Sequence, residues 1–227
     1  KPQFNISKLL FDLFPQESTP AGDRYPTVEE QLDRAITRGS VVTTYLGHGG
    51  PRGWAQERVL DIPMIQNWEN LDRLSIFLTA TCTFGDYDNG AFVSAGEELI
   101  LSPRGGAIAL LTTTRPVFAN RNAALTNRSL TEMLKQNEQG DWTTLGDVIR
   151  IAKNALSAPG GFENERKFML MGDPAMRPAF PRFRVATTSI NGIEVDTSSQ
   201  DTLSALETVT ITGQIEDING SLLGNFN

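Results

Sequence analysis

A chain of 227 residues with 39% hydrophobic side chains is long enough to bury an ordinary core and to hold one full domain plus a smaller one. Its formal net charge of -7 is opposite to the Lys/Arg-rich face that neutralises phosphates, so neither nucleic acid nor an anionic membrane surface is an expected partner. One cysteine and one histidine exclude an internal disulfide framework, a Cys-based zinc cluster and the HExxH type of metal site.

Residues 1–24 mix apolar positions with Pro15, Pro20 and Gly22 and read as an irregular lead-in with one helical turn near residues 6–14. Thr27 as a cap, Glu29 and Glu30 in the first turn, and Leu32 and Ile36 at helical spacing predict a helix over about 28–38, stopped by Gly39. Val41-Val42-Thr43-Thr44-Tyr45-Leu46 is a β-branched and aromatic strand that feeds the glycine-rich loop Gly47-His48-Gly49-Gly50-Pro51. A short helix over about 61–68 precedes a second strand over 75–80, which ends at Thr81-Cys82 and is expected to neighbour the first in parallel. A helix over about 92–101, a third strand over 106–111 that is apolar on both faces, helices near 120–137 and 144–156, and an apolar run over 168–171 follow. The alternation predicts a three-layer α/β sandwich with a mostly parallel sheet.

After Gly172-Asp173-Pro174 and the prolines up to Pro181, composition turns to Thr, Val, Ile and Ser, which marks a boundary between residues 1–181 and 182–227. Strands over 184–190, 193–197, 208–215 and from 221 onward, joined by the hairpin dipeptides Asn191-Gly192 and Asn219-Gly220, predict the start of an immunoglobulin-like β-sandwich. No apolar run approaches the roughly 20 residues of a membrane-spanning helix. The chain begins without Met and has no signal-peptide pattern at its start, and it reads as a piece of a longer polypeptide.

In a parallel sheet ligands collect at the carboxyl ends of the strands, where the pattern places both His48 and Cys82. A cysteine nucleophile needs an imidazole to hold it as thiolate, and two neighbouring strand ends can supply the pair. Gly49 and Gly50 let the backbone approach a carbonyl, which makes the Gly49 and Cys82 N–H groups candidate oxyanion donors. Against this stand the plainer readings of a lone cysteine as a small core residue and a lone histidine as a turn residue, and the residues alone leave both open. Trp54 is a candidate for the substrate cleft or for a lid packed on its own domain. Asp86, Asp88 and Asn89 form an oxygen-rich loop that reads better as a solvated turn than as a site for calcium or a basic substrate group. Arg115 is a candidate for facing substrate, but an ion pair with Glu97 is the better reading. Glu97 and Asp86 are also candidates for the acidic partner of His48, though a capping or surface role suits each better; Asp173 reads as a turn residue. A lipase-type elbow fails because Phe92 stands where GxSxG requires glycine, and no GxGxxG opens a helix.

Thr44-Tyr45-Leu46-Gly47-His48-Gly49-Gly50, Thr79-Ala80-Thr81-Cys82, Ser94-Ala95-Gly96-Glu97 and Gly105-Gly106-Ala107-Ile108-Ala109 together resemble the catalytic part of the gingipain family of cysteine peptidases. Trp54-Ala55-Gln56-Glu57-Arg58, Thr113-Thr114-Arg115 and Met171-Gly172-Asp173-Pro174 resemble, within it, the sortase-like peptidases of the type IX secretion system of Bacteroidetes. The likeness covers residues 25–178. It implies a caspase-like fold in which Cys82 attacks the scissile carbonyl and His48 handles the proton, with no cofactor. It further implies cargo proteins with C-terminal sorting domains as substrates, lipopolysaccharide as acceptor, other secretion-system components as partners, and the outer membrane or cell surface of a Gram-negative bacterium as location. In gingipains part of the site comes from sequence upstream of the histidine strand, much of which this chain does not contain, so the piece by itself is expected to be weak or inactive. The rival function is a non-catalytic, peptidase-derived scaffold or protein-binding module of a secretion complex.

Overall fold

A computed structural model describes residues 4–156, 163–181, 183–195, 203–217 and 220–224. It divides into two units, Ser7–Ala179 and the stretch from Phe180 together with the start of the chain through Ile6. The lead-in is more ordered than its prolines suggest. A 3-10 turn at Phe11–Leu13 precedes a hairpin of β1 (Glu17–Thr19) and β2 (Gly22–Arg24), closed where the Thr19 hydroxyl donates to the Gly22 carbonyl. Helix α1 (Pro26–Arg38) has proline in its first turn, where a missing N–H costs nothing. It buries Val28, Leu32 and Ile36 and stops at Gly39, whose φ of 96° favours glycine.

The next elements are β3 (Val42–Leu46), β4 (Gly49–Gly50), β5 (Gly53–Trp54), β6 (Leu60–Asp61) and α2 (Ile62–Asn67), the last capped by Asp61, which accepts the Met64 N–H at 3.1 Å. Then follow β7 (Ser75–Ala80), α3 (Ala95–Leu101), β8 (Ala107–Thr113), α4 (Ala119–Met133), α5 (Leu145–Leu156), α6 (Glu163–Arg166) and β9 (Phe168–Met171). Strands β4, β5 and β6 make a small antiparallel sheet, while the main sheet has the order β3-β7-β8-β9. Its first three strands are parallel and β9 runs antiparallel to β8, so the sheet is mixed.

All six residues of β7 are buried, as a central strand covered on both faces requires. Phe77 packs with Val28, Leu32 and Ile36 of α1, Ile65 of α2, and Ala95 and Leu99 of α3, and Met171 lies against the same cluster. Phe168 packs instead with Leu125 of α4 and Ala152 of α5. Residues three apart on a strand point to opposite faces, so these clusters lie on the two sides of β9 and helices cover both faces of the sheet. Fully burying a Leu or Phe is worth about 1.5–3 kcal/mol; the clusters therefore hold the strand ends in place.

The second unit is a three-stranded antiparallel sheet of β10 (Phe183–Ile190), β11 (Ile193–Glu194) and β12 (Ile211–Asp217), in the order β11-β10-β12. Asn191 and Gly192 take φ of 50° and 80°, as a two-residue hairpin turn demands. The expected strand over 193–197 is seen only as β11, residues 196–197 and Asn219 lie outside the described residues, and Leu222 makes an isolated bridge to Glu216. The ring of Phe4 meets that of Phe180 at 5.1 Å, so the first described residues group with this unit, whereas the expected boundary after residue 181 leaves them with the α/β unit.

Candidate active site

The register of β3 and β7 pairs Leu46 with Ala80, and two residues beyond each stand the histidine and the cysteine. The Gly47 N–H still donates to the Ala80 carbonyl at 3.4 Å, so the two segments leave the sheet side by side. Beyond it, Gly49 lies against Thr81: a Cβ on the glycine would stand 2.5 Å from the Thr81 Oγ1 and 2.8 Å from the Gly53 carbonyl oxygen. The residue after His48 thus meets the residue before Cys82, and only glycine fits the space. Gly47 is held as tightly, because a Cβ there would stand 2.5 Å from the Tyr45 hydroxyl.

His48 is exposed, and it is its backbone that the fold grips. The His48 carbonyl accepts the Tyr45 hydroxyl at 2.7 Å and the Ala55 N–H at 2.8 Å. Tyr45 is 8% exposed and its ring stacks on Trp54 with centroids 4.4 Å apart. Burial pushes its phenol up to about 12, with the Glu57 charge adding to the effect, so the hydroxyl keeps the proton it donates at neutral pH. The Pro51 carbonyl accepts the Ala95 N–H at 2.7 Å, which ties the histidine loop to the first residue of α3.

Cys82 is partly exposed, with Sγ 3.9 Å from the Val117 carbonyl oxygen. The turn that presents it is pinned to β8: the Thr113 hydroxyl donates to the Thr81 carbonyl, Gly85 N–H to the Thr113 carbonyl at 2.9 Å, and Thr83 N–H to the Arg115 carbonyl at 3.5 Å. Thr83 takes a left-handed φ of 49°, a conformation that bends the chain sharply just past the thiol. A thiol and an imidazole on adjacent strand ends have the topology of a nucleophile and its base.

The profile of peptidase family C25 matches residues 1–179. The chain belongs to peptidase family C25. This is the gingipain-type family of cysteine peptidases, and two solved structures carry the same fold. The complex of Porphyromonas gingivalis RgpB pro- and mature domains has a TM-score of 0.58 at 15% identity, covering 70% of this chain and 40% of its own. The Arg-specific cysteine proteinase gingipain R (RgpB) has a TM-score of 0.58 at 15% identity, covering 70% and 39%. The C25 chain therefore spans about 40% of the length of these solved relatives. No match is found among curated proteins.

Other expected site residues of the C25 chain fall elsewhere. Trp54 does not line a cleft: it is 2% exposed and packs between Tyr45, Phe77 and Phe84, because its pairing with Gly49 turns the ring inward. Arg115 pairs with Asp88 at 2.5 Å and Asp86 at 3.5 Å and not with Glu97. The Glu97 carboxylate instead accepts the Ser94 N–H and hydroxyl, both at 2.8 Å, in a capping box at the start of α3. Asp86 also accepts from the Asn89 amide at 3.0 Å. Both carboxylates considered as partners of His48 are thus engaged elsewhere. The cation held by the loop of Asp86, Asp88 and Asn89 is Arg115, which holds the Asp88 carboxyl below the usual range by hydrogen bonding. Among the described residues no group of three or more His, Cys, Asp or Glu side chains converges as metal ligands do.

A cleft of about 650 Å³ opens at the end of β8, between Tyr87, Asp88 and Arg115 on one side and Glu163, Arg166 and Lys167 on the other. Neither His48 nor Cys82 lines it. Three residues that shape the site have no role of their own legible in the sequence. Tyr45 reads as an ordinary core aromatic of a strand, and Thr81 and Val117 act through a buried surface and a carbonyl that no motif announces.

Proposed function

We propose that this C25 chain carries the catalytic His48 and Cys82 of an endopeptidase of the sortase-like PorU type, within a longer exported protein of the Gram-negative outer membrane or cell surface. In this reading the Cys82 thiolate attacks the carbonyl ahead of a cargo protein's C-terminal sorting domain, and a C–S bond forms. The Gly49 and Cys82 N–H groups receive the oxyanion. His48 delivers the proton to the departing amine as the C–N bond breaks, leaving a thioester. Water then yields the hydrolysed cargo, or an amine on lipopolysaccharide yields the transferred one.

The observation that supports the proposal is the register of β3 and β7, which ends both strands level, each two residues short of His48 and Cys82. The β unit is read as part of an immunoglobulin-like sandwich. In support, Val185 pairs with Ile215, and Ile190 pairs with both Ile193 and Ile211, while Val185, Ile193 and Ile211 are 77%, 58% and 63% exposed. Such an apolar sheet face suits the inner surface of a sandwich.

The test is the rate of Cys82 alkylation by iodoacetamide against pH, in the full chain and in His48→Ala. A low apparent thiol pKa that rises when His48 is removed supports the dyad. A slow thiol with the ordinary value near 8.5, indifferent to His48, overturns it in favour of the scaffold reading. With a cargo fragment ending in a sorting domain, an amine-bearing acceptor separates transfer from hydrolysis by the mass of the product.

A further inference from the structure

We infer that Tyr45 is a positioning residue for the oxyanion site: its hydroxyl, bound to the His48 carbonyl, holds the Gly49 N–H turned away from the β4–β5 ladder, where it is left to receive an oxyanion. The inference rests on the cysteine-peptidase reading above and concerns the amide between His48 and Gly49. That amide is one rigid plane, and in the trans form its C=O and N–H point in opposite directions. Whatever holds the carbonyl therefore sets the direction of the N–H.

Two donors hold it, the Tyr45 hydroxyl at 2.7 Å and the Ala55 N–H at 2.8 Å. The second also shows where the Gly49 N–H stands in the β4–β5 ladder. Gly49 is opposite Trp54 and Gly50 opposite Gly53. A bond from residue 55 to residue 48 makes Gly49 and Trp54 a non-hydrogen-bonded pair. The Gly49 N–H therefore points away from β5 and takes no part in that ladder. Off the ladder plane, the Cα of Gly49 packs against Thr81, whose Oγ1 is buried and has no hydrogen-bond partner. Cys82 is the next residue.

The ring of Tyr45 accounts for its packing, stacked on Trp54 at 4.4 Å and near Phe11 at 6.4 Å. The hydroxyl adds nothing to that stack, and phenylalanine would serve it as well. What the hydroxyl does is reach three residues along the chain, over the bare Gly47, to the one carbonyl that orients the candidate oxyanion donor. A carbonyl that accepts two bonds also polarises its amide and strengthens the N–H as a donor.

The test compares two reactions of the same thiol in the full chain and in Tyr45→Phe. Acylation by p-nitrophenyl acetate passes through a tetrahedral oxyanion before the C–O bond breaks and p-nitrophenolate leaves. Alkylation by iodoacetamide displaces iodide directly and forms no oxyanion. The expected result is that acylation slows about tenfold, less than the loss of a whole oxyanion donor, while the alkylation rate and its pH profile stay unchanged. Unchanged acylation, or an equal fall in both reactions, overturns the inference. A second variant, with 3,5-difluorotyrosine at position 45, keeps the ring and lowers the phenol pKa. Acylation relative to alkylation should then fall as that phenol ionises and can no longer donate, and a flat ratio would overturn the inference even if Tyr45→Phe does not fold. Failure of the peptidase reading is seen separately, in the unsubstituted chain, as alkylation indifferent to His48→Ala.

Discussion

The two loops that meet at the sheet end are built by different means. The histidine loop is a miniature sheet whose Trp54 is buried in the aromatic core beside Tyr45, Phe77 and Phe84. The cysteine loop has no sheet of its own. It hangs from β8 by a threonine hydroxyl, two backbone bonds and the exposed pair of Arg115 with Asp88, and its one apolar anchor is Phe84, fully buried against Trp54. Apolar burial is worth several times a typical hydrogen bond or surface ion pair. The two loops share one apolar anchor, Trp54 against Phe84, and differ in how their backbones are held, His48 by a ladder of its own and Cys82 by bonds borrowed from β8 and the residues after it.

The comparison is broken most directly at Trp54. Trp54→Ala should cost about 3–5 kcal/mol in urea unfolding of the α/β unit, and a smaller loss than that of Thr113→Val would reverse the ranking of apolar anchor over polar tie. Thr113→Val removes the buried hydroxyl that holds the Thr81 carbonyl and should cost about 1–2 kcal/mol by the same measurement. The smallest effect belongs to Asp88→Asn. Because Arg115 lowers the Asp88 carboxyl in the folded state, the pair's contribution is complete above the ordinary aspartate range and is lost as pH falls through the lowered folded value. Urea midpoints of Asp88→Asn and the parent should differ slightly at neutral pH, and the gap should close in acid. A gap that persists at pH 2 would mean that the carboxylate is not what holds Arg115.

The sheet was legible where burial and period agree. Five apolar or β-branched residues over 76–80 and the apolar run of β8 announce buried strands, and the ends of β3 and β7 follow from the glycines and from Thr81-Cys82. The order β3-β7-β8-β9 was not, since the direction of β9 depends on the long path through α4, α5 and α6. Strands β4 to β6 are two residues each, too short for a period of two to register, and so the pattern leaves Trp54 in a loop, at a cleft or in a lid packed on its own domain. The mispairing of Arg115 with Glu97 has a different origin. Ser94-Ala95-Gly96-Glu97 is a capping-box pattern, and a carboxylate that closes its own helix is not available across the sheet. The level ends of His48 and Cys82 could be argued from the pattern, whereas the grip of Tyr45 on the His48 carbonyl needed the turn at Gly47.

The bond from the Ala95 N–H to the Pro51 carbonyl has a mechanical meaning. The first N–H groups of a helix have no partner within it, and α3 gives one of its own to the histidine loop. Loop and helix are thereby latched, and lifting the loop strips the helix of that bond. The Ala95 amide is consequently a built-in clock for the site, since its hydrogen can exchange with solvent only as often as the latch opens.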